Sequence, residues 1–232
     1  MKIKQLKNIT DKIRNYIVYN PPQPRNKLLP PTYNIILSAS PKGGGKTYNC
    51  IQLLTNYEES GFVSEKGEDV LMRTIWVSGG TSRSKQNSIL NTLKSLHDDD
   101  RIDIEENVDV KLREIYENVK MERDLIDVYN IYRKTYDKFI KSKNLSNLSL
   151  DELTLLNFKN FVNPKDDLDA PKTPDGKILY HPRMVFLILD DMIGSDGFSS
   201  MKRGNFLNRL AVKSRHESDE LVGINLFFIT QS

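Results

Sequence analysis

The chain has 232 residues, 38% of them hydrophobic and 28% charged, with a formal net charge of +3. That suffices for one buried core, as a single domain or a domain with an appendage. The charge is too small to imply nucleic-acid binding by itself, so such an argument must rest on where the basic residues lie. Cys50 is the only cysteine, which excludes an internal disulfide and suits a reducing compartment. His97, His181 and His216 are scattered and offer no zinc spacing. The longest unbroken apolar stretch, Met184 to Leu189, is too short to span a bilayer. The opening MKIKQLKNIT has lysines but no apolar h-region, so no secretory signal is expected.

Taken in chain order, Ile3, Leu6, Ile9, Ile13 and Ile17 recur at helical spacing with lysines between them. The following PPQPRNKLLPP breaks any helix and reads as an extended linker or strap. Residues 1–32 are therefore expected as an N-terminal helix and proline-rich linker, and 33–232 as the catalytic domain.

Residues 33–47 read YNIILSASPKGGGKT, a short apolar run followed by a glycine-rich turn ending in Gly-Lys-Thr. This is the form of a P-loop, which wraps nucleotide phosphates between a strand and a helix. Gly43, Gly44 and Gly45 lack a Cβ, so the backbone can turn several N–H groups toward one anion. A helix from about Thr47 to Asn56 would add the positive end of its dipole at the same point. Lys46 is placed to reach the β- and γ-phosphates and the Thr47 hydroxyl to ligate Mg²⁺, which makes ATP and Mg²⁺ the expected cofactors. The whole candidate cradle is Ser40, Pro41, Lys42, Gly43, Gly44, Gly45, Lys46, Thr47 and Tyr48. Ser40 stands where the motif has its first glycine. The competing reading is a glycine-rich surface turn beside a chance Lys-Thr.

Thr74 to Ser78 (TIWVS) is a second short buried strand, followed by the turn-like GGTSRS. The acidic DDDRIDIEE would repel phosphate and reads as a solvated loop. From Lys111 to Lys141, residues Leu112, Tyr116, Val119, Ile126, Tyr129, Tyr136 and Ile140 mark a long amphipathic helix. Its tyrosine stripe reads as packing surface rather than a base-stacking platform. Asn144 to Asp175 is polar and proline-containing and is expected to be an irregular connection. These segments make a helical insertion over about 91–175.

Met184 to Asp191 reads MVFLILDD, a buried parallel strand delivering carboxylates to its C-terminal edge. Asp190 fits the metal-holding role of P-loop enzymes, and Asp191 stands where a carboxylate could orient or deprotonate the attacking water. Taken alone, the pair would read equally well as a helix N-cap or a turn. In NFLNRLAVKSRH, Phe206, Leu207 and Leu210 form one helical face, while Arg209, Lys213 and His216 form another. The stretch from Lys202 to His216 has basic residues and no acidic one, consistent with a solvated face or with contact to phosphate on DNA or on a neighbour's nucleotide. Arg215 is the candidate for acting on a neighbour's γ-phosphate, against a local ion pair with Glu217, Asp219 or Glu220. Last comes INLFFI, a buried strand ending in Thr230, Gln231 and Ser232, with Gln231 the candidate γ-phosphate sensor. Buried apolar runs joined through helices predict a parallel sheet with strands Tyr33–Ser38, Thr74–Ser78, Arg183–Asp190 and Ile224–Ile229.

SASPKGGGKT, TIWVSGGTSRSKQN, MVFLILDDMIG and the closing KSRHESDELVGINLFFITQS, in that order, resemble the genome-packaging ATPases of large double-stranded DNA viruses. These form the poxvirus-type branch of the FtsK/HerA superfamily. The matches span residues 33–232, with little specific signal in the middle third. The resemblance implies an α/β P-loop NTPase of the additional-strand type, with a mainly parallel sheet flanked by helices and the sensor strand between the P-loop and Asp-bearing strands. It further implies a homo-oligomeric ring that drives double-stranded DNA into a capsid, docked at a capsid vertex or membrane protein without spanning the membrane itself. The setting would be the host cytoplasm at viral assembly sites, or the virion. By position, Lys46 and Thr47 carry over as phosphate and metal ligands, Asp190 as metal ligand, Asp191 as the water-activating acid and Gln231 as sensor. Family members continue with at least another strand, so an incomplete C-terminal part is expected. The alternatives are a nucleoside or nucleotide kinase-like phosphotransferase and a nucleotide-binding subunit without turnover.

Overall fold

Four apolar runs become strands because each is short and rich in β-branched and aromatic residues. The computed structural model describes residues 2–13, 22–32, 35–41, 43–78, 90–103, 108–192, 206–207, 210 and 224–231. The chain divides into two compact units, one of residues 19–117 and 183–232, the other of residues 1–18 and 118–182.

The first unit is built on a five-stranded, all-parallel sheet: β2 (Ile35–Ser40), β5 (Met72–Ser78), β6 (Arg101–Asp103), β7 (Met184–Asp190) and β8 (Ile224–Gln231). The spatial order is β2-β8-β7-β5-β6. All of β7 is buried, which requires cover on both faces and explains its unbroken apolar sequence. The four anticipated strands form, and β8 lies between β2 and β7 as expected. The acidic segment is a correction to the sequence reading. Asp98–Asp100 form a 3₁₀ turn, and Arg101–Asp103 pair with β5 as the fifth strand instead of a solvated loop. Asp100 is buried because Arg73 of β5 clamps it with both Nε (3.0 Å to Oδ2) and Nη2 (2.6 Å to Oδ1).

Helix α2 (Lys46–Ser60) lays Cys50, Ile51, Leu54 and Tyr57 on one face of this sheet. The sheet answers with Trp76, Met184, Phe186, Ile188, Phe227 and Ile229, each an even or odd series along its own strand. Tyr57 packs on Phe186 with ring centroids 5.0 Å apart and on Phe62 at 5.7 Å. Such a fully buried aromatic contributes about 1.5–3 kcal/mol. The helix stops where Gly61 takes φ +67° and donates its N–H to the Tyr57 carbonyl at 2.9 Å. The proline-rich segment is a strap whose Gln23–Pro24 (β1) joins Phe62–Val63 (β3) and Asp69–Val70 (β4) in a small antiparallel sheet. Pro30 accepts a 2.8 Å hydrogen bond from the Tyr57 hydroxyl, which burial pushes up to about 12 and so keeps as a donor.

The long helix α3 (Val108–Ser142) forms as the three-four rhythm predicts, and the unit boundary divides it at residue 117. In the second unit α1 (Lys2–Ile13) packs against α4 (Leu150–Phe158) around Leu6, Val128, Ile131, Tyr132, Leu155 and Leu156. Helix α4 is a second correction, since the connection was expected to be irregular. The tyrosines on α3 are packing residues: the Tyr129 hydroxyl donates to the Pro164 carbonyl at 2.7 Å and Tyr132 to that of Val162.

Candidate functional site

The sheet being parallel, β2, β8, β7, β5 and β6 all end at one edge, where β2 closes on Ser40, β7 on Asp190 and β8 on Gln231. Register sets Ser40 beside Gln231, and Ser78 beside Asp190, which in turn faces Ile229. Ser78, Asp190 and Ile229 share the face of the sheet that α2 covers.

Between β2 and α2 the loop turns through Gly43 at φ +86° and Gly45 at φ +72°, where a side chain would be strained. Gly44 donates its N–H to the Pro41 carbonyl at 3.1 Å, closing the turn. Gly45 is the N-cap of α2; it offers no side-chain cap, and the first turn of the helix carries no acidic residue. The positive end of the helix dipole is thus left without a protein carboxylate of its own turn, as an anion site requires. Lys46 and Thr47 open the helix and are half-buried, whereas Tyr48 is exposed.

The clearest link between loop and strand runs through Cys50. Burial first, and the Asp190 carboxylate second, push its thiol up to about 12. Cys50 therefore lies within electrostatic reach of Asp190. Thr47 precedes Cys50 by three residues, so both occupy the same face of α2. Thr47 lies in the first turn of α2, and Asp190, only 4% exposed, ends β7.

Asp191 follows with φ +54°, a left-handed backbone that costs a non-glycine residue about 1 kcal/mol or more. Its N–H donates to the Ile229 carbonyl at 2.9 Å, so the strained turn is pinned to β8. Asp190 is buried and Asp191 half-buried, which separates the two carboxylates by environment.

This donor set fits Mg²⁺. Among the described residues no group of three or more His, Cys, Asp or Glu side chains could hold a metal alone. Mg²⁺ asks for less: one or two protein oxygens, phosphate oxygens and retained waters. Thr47 and Asp190 would be those protein ligands.

Some candidates are not placed. Lys42, Arg209, Lys213, Arg215 and His216 lie outside the described residues, as do the side chains of Ser40 and Gln231; the backbone of Gln231 ends β8 beside Ser40. The residue that sequence reading missed is Ser78, the polar tip of β5 in register with Asp190. The signal was available, since a polar residue closing a buried strand is what singled out Gln231. No family model, no curated protein and no solved structure matches the chain.

Proposed function

We propose that the chain is an ATP-hydrolysing motor subunit that moves double-stranded DNA into a viral capsid, assembled as a homo-oligomeric ring. The observation that carries this reading is the interposed strand: β8 separates the loop-bearing β2 from the Asp-bearing β7. Additional-strand ATPases have that order, whereas nucleoside-kinase cores set the two strands side by side. The left-handed Asp191 at the tip of β7 adds to it.

In this reading the backbone N–H groups of Gly43 to Thr47 cradle the phosphates and Lys46 binds the β- and γ-phosphoryl oxygens. Thr47 and Asp190 would hold Mg²⁺, which would supply positive charge to offset that of the phosphates. Asp191 orients the attacking water and accepts its proton, acting as a base at the end of a fixed turn. Gln231 senses the γ-phosphate from the end of β8, and Tyr48 lines the outer rim of the cradle. The basic segment after Asp191 supplies contacts to DNA phosphate or to a neighbouring subunit, with Arg215 reaching across. Among the described residues no helix is long and apolar enough to cross a membrane. Docking would be to a capsid vertex or membrane protein at viral assembly sites in the host cytoplasm, or in the virion.

The test is ATP consumption with Mg²⁺ in three parallel reactions: protein alone, protein with linear double-stranded DNA, and protein with a panel of nucleosides. The reading predicts a several-fold rise with DNA and no phosphorylated nucleoside. A phosphorylated nucleoside would establish the kinase alternative, and absence of turnover in every reaction would leave a nucleotide-binding subunit.

A further inference from the structure

Among the polar side chains at the C-terminal edge of the sheet, the Ser78 hydroxyl is the anomaly. Ser78 is 5% exposed, and its Oγ has no hydrogen-bond partner among the described residues. A buried hydroxyl exchanged for nothing is a standing cost, and native structures rarely keep one without a use. Four residues earlier on the same face of β5, Thr74 shows the ordinary solution: its hydroxyl bonds Ser95 Oγ at 2.7 Å. Ser78 has no such neighbour among the described residues.

Its position says what the hydroxyl could meet. Ser78 closes β5 in register with Asp190, on the face covered by α2, and adjacent strands lie about 4.8 Å apart. Helix α2, which opens with Lys46 and Thr47, packs on that face through Cys50, Ile51, Leu54 and Tyr57. One water between Ser78 and an ion held by Asp190 would span that spacing, and Mg²⁺ keeps several waters when protein ligands are few.

We propose that Ser78 is a positioning residue of the phosphate–metal site, its hydroxyl holding a water of the Mg²⁺–nucleotide shell beside Asp190. The inference rests on the nucleotide reading above and adds a side chain from β5 to a site otherwise built from β2, α2 and β7. The partner of the hydroxyl arrives with the ligand.

The test compares wild type, Ser78→Ala and Ser78→Thr in two measurements. Affinity for a fluorescent ATP analogue, taken with Mg²⁺ and again in EDTA, gives the metal-dependent gain. Thermal melting without nucleotide reports the ligand-free fold. Ser78→Ala should melt at the same temperature as wild type or higher, because the unmet hydroxyl is gone. It should bind the analogue normally in EDTA and lose roughly fivefold of the metal-dependent gain, the value of one hydrogen bond. Ser78→Thr, which keeps the hydroxyl, should retain most of that gain. An undiminished gain in Ser78→Ala, or equal losses in both variants, would overturn this inference and leave the nucleotide reading standing. A markedly lower melting temperature for Ser78→Ala would do the same by showing a structural role. Failure of wild type to bind the analogue would overturn the nucleotide reading and this inference with it.

Discussion

Asp190 and Asp191 are chemically identical and adjacent, yet the backbone gives them different surroundings. Asp190 ends a fully buried strand and is 4% exposed, which suits a ligand to a fixed cation. Asp191 sits in a left-handed turn, half-buried and pinned through its N–H to Ile229, which suits a base aimed at a water. Asp191→Asn keeps the shape and removes the basicity, so hydrolysis should fall by a factor of roughly 10² or more while ATP affinity stays within about twofold. Single-turnover hydrolysis paired with equilibrium binding measures both. Wild-type turnover in that variant would remove Asp191 from catalysis. Asparagine also tolerates the left-handed region, so the melting temperature should not move.

At the scale of elements, β2, β5, β7 and β8 were legible because each is a continuous apolar run, which a strand buried on both faces demands. The candidate site was legible for the same reason, since its residues punctuate those runs: glycines after β2 and carboxylates after β7. The fifth strand was hidden because Arg-Ile-Asp is three residues at a sheet edge, and its stability comes from the buried Arg73–Asp100 pair, a contact between residues 27 apart in sequence. Helix α4 was overlooked within a polar stretch, although Ser149 and Glu152 form a capping box that was readable. Ser149→Ala should therefore lower stability by about 1 kcal/mol in chemical denaturation. Glu152 adds a pH dependence. Burial alone would raise its carboxyl, but Lys138 at 2.8 Å and the Ser149 N–H at 2.7 Å hold it below the ordinary 4.5. A carboxylate depressed in the folded state stabilises above its unfolded pKa and loses that contribution as pH falls through its folded pKa. Melting temperature should thus drop more steeply below about pH 4.5 in wild type than in Glu152→Gln. Parallel pH profiles for the two proteins would reveal the pairing as idle.

At the scale of the molecule, the chain combines a parallel-sheet unit that carries the candidate chemistry with a helical unit whose polar interior is separately tied. Within that helical unit Lys159 and Asp167 are both 8% exposed and pair at 2.7 Å. Removing one partner of such a pair strands a buried charge, so Lys159→Ala should cost about 3–5 kcal/mol of stability. Denaturant titration followed by circular dichroism would measure it, and an unchanged midpoint would show the pair to be solvated.

A ring adds a prediction no single chain can satisfy. If Arg215 acts across a subunit boundary, mixed assemblies carrying Arg215→Ala subunits should lose hydrolysis at the neighbouring site. Loss confined to the altered subunit's own site would assign Arg215 to a local ion pair instead.

All of this depends on the edge formed by the glycine loop, Asp190 and Asp191 being a nucleotide site. Lys46 is half-buried at the start of α2, and its proposed charge partner is the phosphate. Calorimetric titration of wild type and Lys46→Ala with Mg²⁺–ATP is the direct measurement. The account predicts one ATP bound per wild-type chain and at least a hundredfold weaker binding by Lys46→Ala at an unchanged melting temperature, a loss of about 2.7 kcal/mol. Equal binding by the two proteins, or none by wild type, would contradict it.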